Sequence, residues 1–175
     1  MLMRLATAAF LIATPAVAAG FSTVAVAKHS WCAPGDVNPA EAVSALNDLR
    51  RGQGLGPVRV SNALTRAAQA HSDDLAGWGK LSHSGSDGSN FVDRADRARF
   101  DGVPRAENVA WNLPTSEAVV VAWDRSPGHR DNMMLEDVTD VGIGYACSPS
   151  KGRFWTMVLG RREADMQVAA AFSAY

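Results

Sequence analysis

Apolar residues recur at helical spacing in four stretches of the chain, and each stretch follows a residue that commonly caps a helix. The clearest start is Asn38, because Pro39 suits the first helical position and Glu41 stands where a capping box needs an acid. The same pattern predicts three further helices: from Ser61, over residues 90–100, and from Pro114 onward.

The spacing of large side chains becomes alternating near the end of the chain. In residues 141–147 every second position is large, which predicts a strand with one buried face. Residues 148–152 have turn composition, and the apolar run 154–159 predicts a second, central strand. Residues 101–104 also indicate a turn, placed between the third helix and Glu107.

Two short polar segments rich in glycine and serine each contain a histidine. His83 lies within residues 82–89, and His129 follows a predicted helix stop at residues 126–128. Between them, Glu107 stands among small apolar residues, where a carboxylate is either paired or part of a site. Binding and catalytic groups concentrate in loops held by a rigid scaffold, so we expect these three segments to meet in one cleft.

Two other features look structural rather than functional. His71 falls on the apolar face of the second helix, which favours a core histidine bonded to a neighbour over a ligand. The arginines at 94, 97 and 99 are interleaved with acids, as on a solvated helix face.

The first 18 residues resemble a secretory signal peptide rather than a membrane span. Arg4 gives a positive start, residues 5–17 are apolar, and a small-x-small motif ends at Ala18. That run is shorter than the roughly 20 residues a bilayer needs, although a retained anchor is the alternative. Cleavage as late as residue 27 is also compatible with the sequence. The predicted division is a signal peptide over 1–18, an arm over 19–37, a domain over 38–162 and a tail over 163–175.

A cleaved chain of this kind is secreted or periplasmic, and without its leader it is expected to have no stable membrane insertion. Loss of Arg4 leaves 16 basic against 18 acidic residues, a net charge of about −2. That balance gives no electrostatic footprint for a nucleic acid partner.

The chain has two cysteines, Cys32 and Cys147. An even count in an exported protein predicts a disulfide, which would pin the N-terminal arm to a strand near the C-terminus. Two separately buried free thiols are the alternative.

The order and spacing of seven segments resemble the bacterial branch of the CAP superfamily. This superfamily, also known by its SCP domain, comprises the cysteine-rich secretory proteins, antigen 5 and the plant pathogenesis-related proteins. The resemblance implies an α+β fold, a three-layer α-β-α sandwich with a central antiparallel sheet. The segments lie at residues 47–55, 67–72, 81–89, 106–110, 123–130, 141–145 and 155–156.

The resemblance also implies a shared cleft, lined in family members by two histidines and two acids. His83, Glu107 and His129 match three of these positions. The second acid would fall near Ser126, which is not acidic, and the neighbouring Asp124 and Asp131 do not fit the pattern. The constellation therefore has one carboxylate, which counts against a mechanism that needs two.

Our preferred hypothesis is a non-enzymatic binding module for a lipid, glycan or protein ligand, with no cofactor required. Ser84, Asn108 and Ser126 would add polar groups to the cleft. His83 and His129 could also hold zinc or another divalent cation, with Glu107 as a third ligand.

Two alternatives remain open. A histidine held by Glu107 could act as a general base on water or on one of the serines at 82, 84 and 126, giving a protease-like hydrolase. Alternatively, His83, Glu107 and His129 could only hold the three segments together through hydrogen bonds, with no ligand at all.

Overall fold

The computed structural model describes Cys32 and residues 37–167. The proposed leader, most of the arm and the end of the tail lie outside the described residues, so those boundaries stay predictions. Within the described part, no helix is long and apolar enough to cross a membrane. The helices are α1 (Pro39–Gly52), α2 (Asn62–Trp78), α3 (Phe91–Arg97), α4 (Ser116–Asp124) and α5 (Pro127–Met133), and the strands are β1 (Arg59–Val60), β2 (Gly102–Trp111), β3 (Asp140–Ser148) and β4 (Gly152–Arg162).

The four strands form one sheet in the order β1-β3-β4-β2. β4 pairs antiparallel with both β3 and β2, and the two-residue β1 adds to β3 in parallel. Side chains of α1 and α4 pack in the main core on one face of the sheet, whereas α2 and α3 share a smaller core with β4 on the other. The predicted α+β three-layer sandwich is therefore confirmed, with β1 as a short parallel addition to an antiparallel sheet.

All four predicted helix starts carry a side-chain cap. The side chains of Ser61 and Thr115 accept from the first turns of α2 and α4, and Asn38 accepts from Ala40 N. The capping box predicted at Asn38 does not form, because its backbone N–H donates to Ser116 Oγ instead. The reciprocal box occurs in α3, where Asn90 is the cap.

The prediction that β3 has one buried face is wrong, because both of its faces are covered. Val141 and Ile143 point into the main core. On the opposite face, a Cβ at Gly142 or Gly144 would collide with the backbone of α2 at Leu64 and Ala68. The glycines in the alternating pattern therefore lie on a face that packs closely against a helix, not on a face exposed to solvent.

β2 was not predicted from the sequence, because its first residues look like a turn. Pro104 lacks a backbone N–H, but β2 is an edge strand, where proline is tolerated, and the pairing shifts between Pro104 and Ala106. Its backbone carbonyls at Glu107 and Val109 accept hydrogen bonds from side chains of α5 and α4. These side chains protect the edge from pairing with another strand.

Cys32 and Cys147 form the predicted disulfide, with Cα atoms 5.6 Å apart and 115 positions between them in sequence. The bond joins the N-terminal arm to the C-terminal end of β3. It excludes the alternative of two free thiols.

Replacing both cysteines by serine should lower the free energy of unfolding by about 4–5 kcal/mol, because a long loop of the unfolded chain is no longer closed. Urea unfolding of the variant and of the oxidised wild type gives the difference. Reduced wild type is the control and should match the variant. Equal midpoints for oxidised and reduced wild type would contradict the prediction.

Candidate functional site

Glu107 lies on the edge strand β2 with its carboxylate buried, and both carboxylate oxygens have partners. Oε2 accepts from an Arg94 nitrogen at 2.5 Å, and Oε1 accepts from His83 Nδ1 at 2.9 Å. A carboxylate that is buried away from water needs a counter-charge and hydrogen bonds to offset the cost of its desolvation. Glu107 is therefore the anchored centre of the candidate site rather than a free acid.

Arg94 was predicted to be on a solvated face, and that prediction is wrong. The side chain of Arg94 is only 6% exposed. Besides Glu107, it donates to the backbone carbonyls of Ser89 at 2.7 Å and His83 at 3.1 Å. Arg94 therefore ties α3, the 82–89 loop and β2 together. The sequence signal for its burial was its spacing of three residues from the apolar Phe91, because residues i and i+3 share a helix face.

His83 has one ring nitrogen fixed and the other free. Its side chain is 60% exposed, and Nε2 has no hydrogen-bond partner among the described residues. The hydrogen bond from Nδ1 to Glu107 raises the pKa of His83 above its usual range, against a smaller opposing effect of burial. The cleft therefore contains an imidazole that is biased toward the cation.

His129 is not in a loop as predicted, because α5 already begins at Pro127 and includes it. Its Nδ1 lies 2.9 Å from the hydroxyl of Ser126, and that hydroxyl makes no helix-capping hydrogen bond. Burial lowers the pKa of His129, and the nearby charge of His83 lowers it further. Ser126 thus contacts the second histidine at the position where the resemblance implied an acid.

Asn108 and Asn132 hold α5 against β2. The Asn108 side chain is fully buried, donates to the backbone carbonyl of His129 at 3.0 Å and accepts from the Asn132 amide at 2.9 Å. Asn132 was missed by the sequence analysis, because its position in a short helix carries no distinctive signal. Asp124 lies two residues before Ser126, where the resemblance implied the second acid, and it forms an ion pair with Arg130.

His71 is a fully buried core histidine, as expected, and it lies directly beside the site. Its Nε2 donates to the Ser82 carbonyl at 2.9 Å and is 4.0 Å from Glu107 Oε1. Desolvation lowers its pKa, so the ring is neutral near pH 7. Its Nδ1 has no partner within the described part of the chain.

A cleft of about 420 Å³ opens beside His83 and Glu107. Ser84 lies in its wall, but Asn108, Ser126 and His129 do not. The remaining lining residues are Asn90, Phe91, Arg105, Ala106 and Asn132. The structure therefore brings His83, Ser84 and Glu107 to one cleft and leaves His129 close to His83 but outside its wall.

A somewhat larger cavity of about 460 Å³ lies between α2 and α3 and has Arg94 in its lining. The acids in its lining are already paired. Asp74 accepts from Ser86, and Asp87 accepts from Arg97 at 2.6 Å. We regard the cleft as the candidate site because it contains the free nitrogen of His83.

The metal hypothesis can be tested against the donor atoms. The two histidines could each offer Nε2, with Nδ1 oriented by Glu107 or Ser126, an arrangement typical of metal-binding imidazoles. Both oxygens of Glu107 are occupied, and no group of three His, Cys, Asp or Glu side chains that could hold a metal is found in the described ranges. The described residues offer two donors, whereas zinc sites use three or four. Zinc at His83 and His129 stays a prediction, and the donor set does not complete such a site.

An α-β-α sandwich with a histidine-carboxylate cleft at the sheet edge defines a CAP-type domain. The model of the cysteine-rich secretory protein family (CAP) matches residues 43–159, about two thirds of the chain. The protein belongs to this family.

Two curated relatives from Bacillus subtilis (strain 168) have no established function. The uncharacterized protein YkwD is 32% identical over 126 residues, covering 71% of this chain and 48% of the relative. The uncharacterized membrane protein YlbC is 26% identical over 120 residues, covering 69% of this chain and 35% of the relative. The chain thus spans half or less of the length of these relatives.

Solved structures agree with the fold. An extracellular SCP-domain protein from Bacillus anthracis superposes with a TM-score of 0.64 at 24% identity, covering 70% of this chain and 40% of the other. An outer surface protein from Borrelia burgdorferi gives 0.62 at 19% identity, covering 74% of this chain and 100% of the other. At these identities the likeness supports the fold alone.

Replacing Arg94 by methionine should destabilise the protein by about 3–5 kcal/mol, because the buried Glu107 carboxylate loses its counter-charge. Urea unfolding at pH 7 measures the loss. The control is Arg97→Met, which removes an exposed ion pair with Asp87 and should leave the midpoint nearly unchanged. Equal midpoints for the two variants would show that the Arg94–Glu107 pair is dispensable.

The histidines should titrate in a defined order. As the pH falls, His83 should protonate above the ordinary histidine pKa of about 6.5, and His71 and His129 below it. The folded protein then binds protons at His71 and His129 less readily than the unfolded chain does. Their contribution to stability is present above about pH 6.5 and is lost as the pH falls below it. The contribution of His83 is present below about pH 6.5 and is lost as the pH rises through its raised pKa.

Histidine ring NMR over a pH range of about 4–9 measures these pKa values, with each signal assigned from a single His→Gln variant. A pKa for His83 at or below that of His129 would contradict the geometry described for Glu107.

Proposed function

We propose that this domain is a non-enzymatic extracytoplasmic binding module whose cleft takes a small ligand with a negatively charged end. The observation that carries the proposal is that Glu107 is buried and fully engaged by Arg94 and His83. Both oxygens of the cleft's carboxylate already accept a hydrogen bond, and the side chain is only 1% exposed. The group presented to a ligand is instead the Nε2–H of a histidine biased toward the cation.

The rest of the cleft supports the same ligand chemistry. Asn90 supplies an amide group, Arg105 supplies a partly exposed guanidinium paired with Asp137 at 2.9 Å, and Phe91 supplies an apolar surface. A carboxylate or phosphate at His83 with an apolar body against Phe91 suits a cleft of this composition. Lipid head groups, acidic glycans and acidic protein segments share this chemistry.

The proposed location outside the cytoplasm has support of its own. Disulfides persist mainly in oxidising compartments, and Cys32 is bonded to Cys147. Together with the signal-like leader, this supports a secreted or periplasmic protein.

A hydrolase is the second candidate, and the contact between Ser126 and His129 is the observation that favours it. The lowered pKa of His129 keeps its ring neutral, so it could accept the Ser126 proton. Nε2 of His129, however, has no orienting partner among the described residues, and neither side chain lines the cleft. The pair lacks the third group that fixes the base in a catalytic triad.

The test is a calorimetric titration of the mature protein and its variants with hexanoate and with inorganic phosphate, with the ring NMR signals of His83 followed in the wild type. Binding should strengthen as the pH falls through the pKa of His83, because the cation is the binding form. His83→Gln should weaken binding about tenfold, the usual effect of losing a hydrogen bond to a charged group. His129→Gln is the matched control, since His129 is outside the wall of the cleft.

Other outcomes would overturn the proposal. Zinc binding that strengthens as the pH rises and is lost in both His→Gln variants would make the pair a metal site. Ester hydrolysis that disappears in both Ser126→Ala and His129→Gln, with the fold retained, would favour the hydrolase. No binding of any probe, together with lower stability of Glu107→Gln, would leave the cluster a structural network.

A further inference from the structure

Two tryptophans and a leucine are exposed at one end of the sheet. Trp78 is 43% exposed and Trp111 is 51% exposed, and Leu81 is similarly open. Lys80 and Lys151 accompany them. We call these five residues the indole face. Large exposed aromatic residues that occur together mark interaction surfaces more often than single ones do.

Lys151 bridges the end of β2 at Trp111 and the end of α2 beside Trp78. Trp111 Nε1 donates to the Lys151 carbonyl at 2.8 Å, and the Lys151 ammonium donates to the Gly77 carbonyl beside Trp78. The aliphatic part of Lys151 runs across Gly79, where a Cβ would be only 2.5 Å from it. Gly79 has φ +78°, so it both ends α2 and makes room for the lysine.

The charged residues of the indole face are both lysines, although the whole chain has a net charge of −1. The segments that build it, residues 77–81, 111–112 and 148–152, contain Lys80 and Lys151 and no acid. Lys80 also lies over the Trp78 ring, 4.7 Å from its centroid. This end of the domain therefore complements an anionic partner.

The N-terminal arm enters the domain at the same end. Cys147, which binds Cys32, pairs in the sheet with Arg153, and Trp111 pairs with the next residue of β4, Phe154. The disulfide therefore lies at the same end of the sheet as the indole face.

We propose that the indole face docks on the surface of an anionic phospholipid bilayer. Tryptophan prefers the head-group level of a membrane, where its ring is apolar and its N–H is wet. Basic side chains beside it gain from the negative surface potential. Docking of this kind is peripheral and leaves the chain outside the hydrocarbon core. It is independent of any ligand in the cleft.

The experiment is flotation of the mature protein with vesicles of phosphatidylglycerol and phosphatidylcholine, or of phosphatidylcholine alone. We expect binding to the anionic vesicles only, weakened at high salt. Trp78→Gln with Trp111→Gln should weaken binding at least tenfold, and Lys80→Gln should weaken it about fivefold. The matched control is Val60→Gln with Val103→Gln, which changes exposed apolar residues at the opposite end of the sheet.

Three outcomes would overturn the proposal. One is no flotation with anionic vesicles, and another is equal binding by the tryptophan variant and the valine control. The third is tryptophan-dependent binding to isolated cell-wall polysaccharide but not to vesicles, which would make the indole face a glycan platform. Circular dichroism of each variant shows whether a loss of binding is only a loss of fold.

Discussion

The candidate site depends on one buried ion pair, Arg94 with Glu107. An edge strand that buries a carboxylate must compensate its charge, and the compensating side chain comes from α3. Because the guanidinium of Arg94 also donates to carbonyls of the 82–89 loop, the same group that neutralises Glu107 also positions His83. The orientation, exposure and raised pKa of His83 follow from that arrangement.

A second constraint is the contact between α2 and β3. Gly142 and Gly144 let the helix backbone approach the strand more closely than any Cβ would allow. That close approach buries His71 beside Glu107. It also buries Ser72, whose hydroxyl donates to Thr156 Oγ1 at 3.0 Å. The neutral His71 then fixes the loop through the Ser82 carbonyl without adding a second positive charge next to Arg94. Close packing of glycines therefore sets the electrostatics of the site.

The sequence predicted the features that rest on local chemistry, and it failed where tertiary context decides. Helix caps at Asn38 and Ser61 are local, so they could be recognised, and two cysteines leave only one pairing within the chain. β2 could not be recognised, because Pro104 is tolerated only by virtue of the edge position of the strand. Arg94 looked solvated because the acid that buries it, Glu107, is 13 positions away in sequence and on another element.

The cleft and the indole face meet on β2. Glu107, Val109 and Trp111 alternate onto the same side of that strand, so Glu107 and Trp111 lie about 13 Å apart. If Trp111 rests among lipid head groups, the part of the cleft beside Glu107 lies no more than about 13 Å from that level. A ligand with an anionic end and an apolar body is the kind of molecule that such a surface contains. The geometry therefore gives the two proposals one physical reason to occur together, although each can fail without the other.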